Sequence, residues 1–87
     1  MDHASIASRI ESFIRDRFDI KPTDPDFNAD VHLFEYGYVD SFGAVELTTF
    51  VESTFNVRVS NSDLMLYPMN SVSEIANFVA RRQGGEI

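Results

Sequence analysis

The sequence predicts an all-α fold, a four-helix bundle of three longer helices and one short one. Three observations predict it. Apolar residues recur at spacings of three and four in three separate stretches, the period of a helix with one buried face. Ser60 with Asp63, and Ser71 with Glu74, have the spacing of a capping box at two helix starts. No strand-period run survives its context, since "FNVRVS" at 55–60 is short and isolated.

The first helix is expected from His3 to about Phe18. Ile6, Ile10, Phe13, Ile14 and Phe18 form one stripe, with Arg9, Glu11 and Asp16 elsewhere, and Asp2 or Ser5 supplies the cap. Pro22 and Pro25 end any helix, and the chain to Asp40 reads as a long loop with at most one short turn. A loop of that length in so small a domain invites a functional explanation.

A second helix should run from Ser41 to about Phe55. On a helical wheel Ala44, Leu47, Val51 and Phe55 share the inward arc. Phe42 falls opposite, near Glu46, Thr49 and Ser53, with Val45 at the margin. The short third helix starts near Ser60 and is stopped by Pro68. Ser71 opens the last, whose stripe is Val72, Ile75, Ala76 and Val79, and Gly84 with Gly85 ends it.

Bulk properties narrow the function. Eighty-seven residues make one domain, residues 1–87. A chain this short buries only about 60–65% of its unfolded surface, so a deep enclosed catalytic cavity is not expected. Without cysteine there is no disulfide framework, zinc-thiolate site or thiol nucleophile. The net charge of −7 opposes binding to phosphate backbones and steers basic proteins toward the chain. Much of that charge lies in one segment, where Asp24, Asp26, Asp30, Glu35 and Asp40 face Lys21 alone. No apolar stretch has the length of a membrane span, and no secretory signal is read at the N-terminus. The expectation is a cytoplasmic monomer that does not insert into membranes.

The stretch "GYVDSFGAVELTTF", 37–50, carries the most chemistry. Ser41 stands where a helix begins, beside unpaired backbone N–H groups and the positive end of the helix dipole. A phosphate ester on its oxygen would be stabilised there and reachable by an enzyme. The same pattern is also met by an aspartate or serine N-cap worth about 1 kcal/mol and nothing more. The outward Phe42, rimmed by Glu46 and Thr49, reads either as a docking patch or as an isolated surface ring.

"LFEYGYVDSFGAVELTTFVESTFNV" resembles the core of the acyl carrier protein family, whose signature is Gly-x-x-Asp-Ser followed by a hydrophobic residue. Leu33, Gly37, Asp40, Ser41, Phe42, Val45, Glu46, Leu47 and Phe55 carry the likeness, and "NSVSEIANFV" is similar to the family's last helix. The resemblance spans nearly the whole chain and implies a four-helix bundle of acyl-carrier type. Within the family the chain most resembles stand-alone D-alanyl and other aminoacyl carriers, through Leu33, Phe34, Glu35, Gly37, Asp40, Ser41 and Gly43. Fatty-acid carriers usually have a more acidic second helix, whereas this one offers Glu46 and Glu52 among Thr48, Thr49, Ser53 and Thr54.

The resemblance implies a protein that catalyses nothing. Ser41, with Asp40 before it, would carry 4′-phosphopantetheine taken from coenzyme A by a magnesium-dependent phosphopantetheinyl transferase. The arm's thiol would hold an aminoacyl or specialised acyl group as a thioester. An adenylating acyl or aminoacyl ligase would load it, and a downstream acyl- or aminoacyl-transferring enzyme would unload it, each binding in trans. The resemblance and the wheel together assign partner contact to Asp40, Phe42, Val45, Glu46, Thr49 and Glu52. The rival reading is a small acidic helical interaction module with no prosthetic group.

Other constellations carry less. Asp24, Asp26, Asn28, Asp30, His32 and Glu35 occupy the spacings of a calcium loop, but Ala29 replaces its turn glycine and prolines spoil the entering helix. A solvated acidic loop accounts for them better, and no metal site is assigned. Ser41, His32 and Asp40 do not make a hydrolase triad, because neighbours on one backbone rarely converge and no oxyanion loop is present. His3 and His32 read as surface or loop residues. Phe34, Tyr36 and Tyr38 read as loop anchors into the bundle, with Tyr38 near enough to Ser41 to line the path of an arm.

Overall fold

In the computed structural model, which describes residues 2–84, four helices follow one another: α1 (His3–Arg17), α2 (Ser41–Phe55), α3 (Asn61–Leu66) and α4 (Val72–Gln83). There is no strand among the described residues, and "FNVRVS" is the last residue of α2 followed by the connection to α3. Each helix begins where a side chain satisfies a first-turn N–H. Asp2 rather than Ser5 caps α1, its Oδ1 accepting from the Ser5 N–H at 2.9 Å. Ser60 and Asp63 form a complete capping box on α3. At α4 the expected box is only half present: Ser71 accepts from the Glu74 N–H, but Glu74 reaches back one residue further, to the Asn70 N–H at 2.8 Å.

The ends have equally local causes. Phe18 is the C-cap of α1. Asn56 closes α2 with a left-handed backbone (φ 53), which a short amide side chain tolerates. Tyr67 ends α3 in an extended conformation, as the residue before Pro68 must. Gly84 caps α4, while Gly85 lies outside the described residues.

The core is centred on α1 and α4, the helices in most extensive contact. Ile6, Ile10 and Ile14 pack with Val72, Ile75, Ala76, Phe78 and Val79, all buried. Phe13 is half-buried and stacks on Phe50 of α2, ring centroids 4.1 Å apart.

The segment between α1 and α2 differs most from expectation. It lacks helix, yet Ile20, Phe27, Val31, Leu33 and Val39 are buried members of the core. Its backbone is tied across the bundle, the Leu33 N–H donating to Asn70 O at 2.8 Å and the Ser73 N–H to Ala29 O at 2.9 Å. Arg15 of α1 lays its guanidinium 4.6 Å from the Phe27 ring and donates to Lys21 O. This loop is therefore a packed layer that fixes where α2 begins.

Candidate functional site

The start of α2 is held from three sides. Val39 is buried just before it, and Asp40 caps it, Oδ1 accepting from the Gly43 N–H at 2.8 Å. Beneath the first turn Gly43 is buried, so close to its neighbours that a Cβ would lie 2.6 Å from Phe18 Cε1 and 2.9 Å from Val39 Cγ1. Glycine thus lets the end of α1 and the end of the loop meet under α2. The wheel put Ala44 in the inward arc; Gly43 takes that place and Ala44 is half-buried at the side of the helix. Hydropathy patterning could not find Gly43, because the signal is the absence of a side chain.

Ser41 is the first residue of α2 and is exposed. The backbone N–H groups of Ser41 and Phe42 open the helix, where no intrahelical carbonyl can reach them. Together with the dipole they give a negative substituent on the Ser41 oxygen a favourable field. Next to it Phe42 is 84% exposed, and Val45 and Thr49 are also exposed.

The two carboxylates expected on this face are engaged within the chain. Glu46 accepts from Arg17 Nε at 2.9 Å and pairs with its guanidinium, joining the end of α1 to α2. Glu52 accepts from the Val59 N–H at 2.9 Å and ties α2 to the turn before α3. Phe42, Val45 and Thr49 are therefore the sequence-predicted contact residues that stand freest of the fold.

Between α2 and α3 lies a cleft of about 430 Å³, lined among others by Phe34, Val45, Thr48, Asn61, Leu64 and Met69. Sequence reading missed it, since Leu64 and Asn61 belong to a helix too short for periodicity. α3 also exposes Met65 and Leu66.

The loop aromatics divide. Phe34 is half-buried at the cleft, but Tyr36 is exposed and anchors nothing in the core. Tyr38 does not turn toward an arm's path: its hydroxyl donates to Asp24 Oδ1 at 3.1 Å and its ring packs edge-on against Phe27. The Asp26 N–H and the Tyr38 hydroxyl hold the Asp24 carboxyl below its ordinary pKa, and burial with the Asp24 bond pushes the Tyr38 phenol up. Elsewhere in this segment Asn28 accepts from the Asp30 N–H and His32 Nδ1 from the Glu35 N–H. These groups serve the loop's own turns, and among the described residues no three His, Cys, Asp or Glu side chains converge as metal ligands do. His3 joins α1 to α4, its Nε2 lying 2.7 Å from Asn77 Oδ1.

Comparison with known proteins gives a consistent answer. The family model described as the phosphopantetheine attachment site matches residues 8–79. The D-alanyl carrier proteins of Streptococcus pyogenes serotypes M5 (strain Manfredo), M49 (strain NZ131) and M1 are each 41% identical over 54 residues, covering 62% of this chain and 68% of theirs. No helix among the described residues is long and apolar enough to cross a membrane.

Proposed function

The chain belongs to the phosphopantetheine attachment family, and from that premise we propose that Ser41 is the residue that carries the group. The protein is a non-catalytic carrier with covalently attached 4′-phosphopantetheine, modified by a phosphopantetheinyl transferase. The observation that supports Ser41 is its place: an exposed hydroxyl on the first residue of a capped helix, four residues after the turn that ends at Gly37. When attached, the group supplies a thiol on which an acyl or aminoacyl group is carried.

The chain's own residues do the positioning. Asp40 fixes the first turn, Gly43 seats it on Phe18 and Val39, and Gly37 makes the turn before it with φ 77. The helix start favours the negative charge of a phosphodiester at Ser41. Phe42 and Val45 offer the apolar contact for enzymes that must reach Ser41, with Asp40, Glu46, Thr49 and Glu52 around them.

We further assign an aminoacyl cargo, with D-alanine the first to test. The likeness to D-alanyl carrier proteins supports this, as does an α2 whose two carboxylates are engaged inside the fold. The working partners are then a transferase, an adenylating ligase and an enzyme that receives the aminoacyl group, meeting a monomeric carrier in the cytoplasm, where coenzyme A and ATP are available.

The test is intact mass after incubation with coenzyme A, magnesium and a broad-specificity phosphopantetheinyl transferase. A gain of one phosphopantetheine, absent in Ser41→Ala, is the expected result; a gain that persists in Ser41→Ala moves the site elsewhere. Modified carrier is then offered D-alanine, L-alanine or octanoate with ATP and a D-alanine-activating ligase. A second mass gain with D-alanine alone supports the cargo assignment, and loading with octanoate but not D-alanine overturns it.

A further inference from the structure

The first turn of α2 is seated by a side chain that is not its own. Further along, α2 sends Leu47, Val51 and Phe55 into the core. In the first turn Ser41 and Phe42 are exposed, and the buried residue is Gly43, which has no side chain to anchor it. The end of α1 supplies the contact instead. Phe18 packs a ring edge beneath Gly43, filling the space of the missing side chain: a Cβ there would lie 2.6 Å from Phe18 Cε1 and 2.9 Å from its Cζ.

Phe18 is itself held firmly. Its N–H donates to Ile14 O at 3.0 Å, and the chain leaves α1 through Asp19 in a left-handed conformation (φ 55). The buried Ile20 then donates its N–H back to Arg15 O at 2.9 Å. The Phe18 ring meets Phe13 edge-on, centroids 6.3 Å apart, and Phe13 stacks on Phe50 of α2. One residue earlier, Arg17 pairs with Glu46, a helical turn beyond Gly43. Arg17 and Phe18 therefore grip α2 at two points one turn apart. The ion pair is exposed and worth little, so the ring carries the seat.

We propose that Phe18 is a positioning residue for transfer to Ser41, a role that rests on Ser41 carrying the group. Its ring keeps the first turn of α2 from loosening and so aims the Ser41 hydroxyl at a donor held by an enzyme docked on the helix. The N–H groups of Ser41 and Phe42 have no carbonyl to bond within the helix. The turn is tied through Asp40, whose O accepts from the Ala44 N–H at 2.8 Å and whose Oδ1 accepts from the Gly43 N–H. Without the ring a gap opens beneath Gly43, and these bonds open more often. In the transfer the Ser41 oxygen bonds to the phosphorus nearer the pantetheine arm as the pyrophosphate bond of coenzyme A breaks. Adenosine 3′,5′-bisphosphate leaves, and the hydroxyl proton passes to a base on the transferase. Such a displacement needs oxygen, phosphorus and leaving group roughly in line, and a misplacement of about 1 Å can cost about 100-fold. Phe18 touches none of the reacting atoms and acts through Gly43.

The test measures kcat and KM for the carrier in phosphopantetheinyl transfer, at saturating coenzyme A, with wild type, Phe18→Ala, Phe18→Leu and Phe13→Ala. The temperature is one at which circular dichroism shows the chains folded, and amide exchange is followed by NMR on the same unmodified chains. Phe18→Ala is expected to lower kcat at least about tenfold with KM within about threefold, because the exposed residues that meet the enzyme are intact. The Gly43 and Ala44 amides should exchange at least about tenfold faster, with those of Val51 and Phe55 within about twofold. Phe18→Leu keeps apolar bulk but shortens the reach; it should lower kcat about threefold, and it decides the matter if Phe18→Ala does not fold. Phe13→Ala removes the neighbouring ring, one step further from Gly43, and should leave kcat within about twofold. An unchanged kcat in the folded Phe18 variants overturns the proposal, as does an equal fall in Phe13→Ala, which would make the effect a general loosening. A lower kcat with unchanged exchange at Gly43 and Ala44 overturns it too, since the turn would not have moved. A wild type that takes up no group overturns the carrier reading and this role with it, whereas normal transfer to wild type and variants alike overturns this role alone.

Discussion

Along α1 and α4, Ile6, Ile10, Ile14, Val72, Ile75 and Val79 are each at most 3% exposed, whereas α2 and α3 leave Phe42, Val45, Leu64, Met65 and Leu66 in solvent. The two halves use residues of the same chemical kind for opposite purposes. In the first, burial supplies the stability of a chain with little to spare. In the second, α2 still buries Leu47, Val51 and Phe55, but apolar surface is kept outside around Ser41 and the cleft, and polar fastenings join in holding the elements: Asp40 to Gly43, Arg17 to Glu46, Glu52 to Val59, Asp63 to Arg82. The lesson is a division of labour, a stable pair of helices carrying a contact surface that contributes little to their stability.

The largest effect should come from breaking the stable half. Ile10→Ala removes a fully buried side chain at the centre of the α1–α4 contact and should cost about 2–5 kcal/mol. For a chain with a total of about 5 kcal/mol that approaches complete unfolding, read as a lowered urea midpoint or no folded baseline at all. Next comes the seam between the halves. Gly43→Ala gains helix propensity of about 1 kcal/mol but forces a methyl against Phe18 and Val39, an overpacking cost of about 1–3 kcal/mol. A net loss of stability is expected; a more stable Gly43→Ala would show that Phe18 swings aside at no cost.

The two halves also differ in how readily the sequence yields them. All four helices are legible, because three carry strong periodicity and the short one a capping box and a proline stop. Ser41 and its neighbours are legible through a motif. The cleft is not, since it is the space left between α3 and α2, and no pattern within six residues encodes that placement. Ile20, Phe27, Val31, Leu33 and Val39 were equally hidden: a segment without period can still be core when its backbone is tied to Asn70 and Ser73. The destinations of Glu46 and Glu52 were illegible for a third reason, that an acidic side chain on a helix does not announce a partner 29 residues upstream or the backbone seven residues on.

Acid should separate the halves with a smaller effect. The Asp63 and Asp24 carboxyls are held below their ordinary values in the fold, so each contributes stability that is present above the unfolded carboxylate pKa, about 3.9. That contribution is lost as pH falls through the lower folded value. The melting temperature should therefore be insensitive to these groups near pH 7 and decline below about pH 4. The α1–α4 contact is built from aliphatic side chains, so NMR signals of α3 should shift first on acidification while those of α1 and α4 persist. Simultaneous loss of all four helices would mean that acid acts on the bundle as a whole.

The smallest effect on stability sharpens the comparison most. Phe42 is almost wholly exposed, so Phe42→Ala should leave the urea midpoint within about 0.5 kcal/mol of wild type. If its ring is an anchor for the enzymes that reach Ser41, the same change should lower kcat/KM about 5- to 30-fold for phosphopantetheinyl transfer or for loading by the ligase, the worth of one or two kcal/mol of contact. The loss should appear chiefly in KM for the carrier, because the ring touches the partner and not the reacting hydroxyl. An unaltered kcat/KM with both enzymes would leave Phe42 an ordinary surface residue, while a large fall in stability would move it to the packed half of the molecule. Val45→Ala, at the cleft rim, provides the control within the same surface: loss at Phe42 alone points to docking beside Ser41, and equal loss at both extends the contact across α2 toward α3.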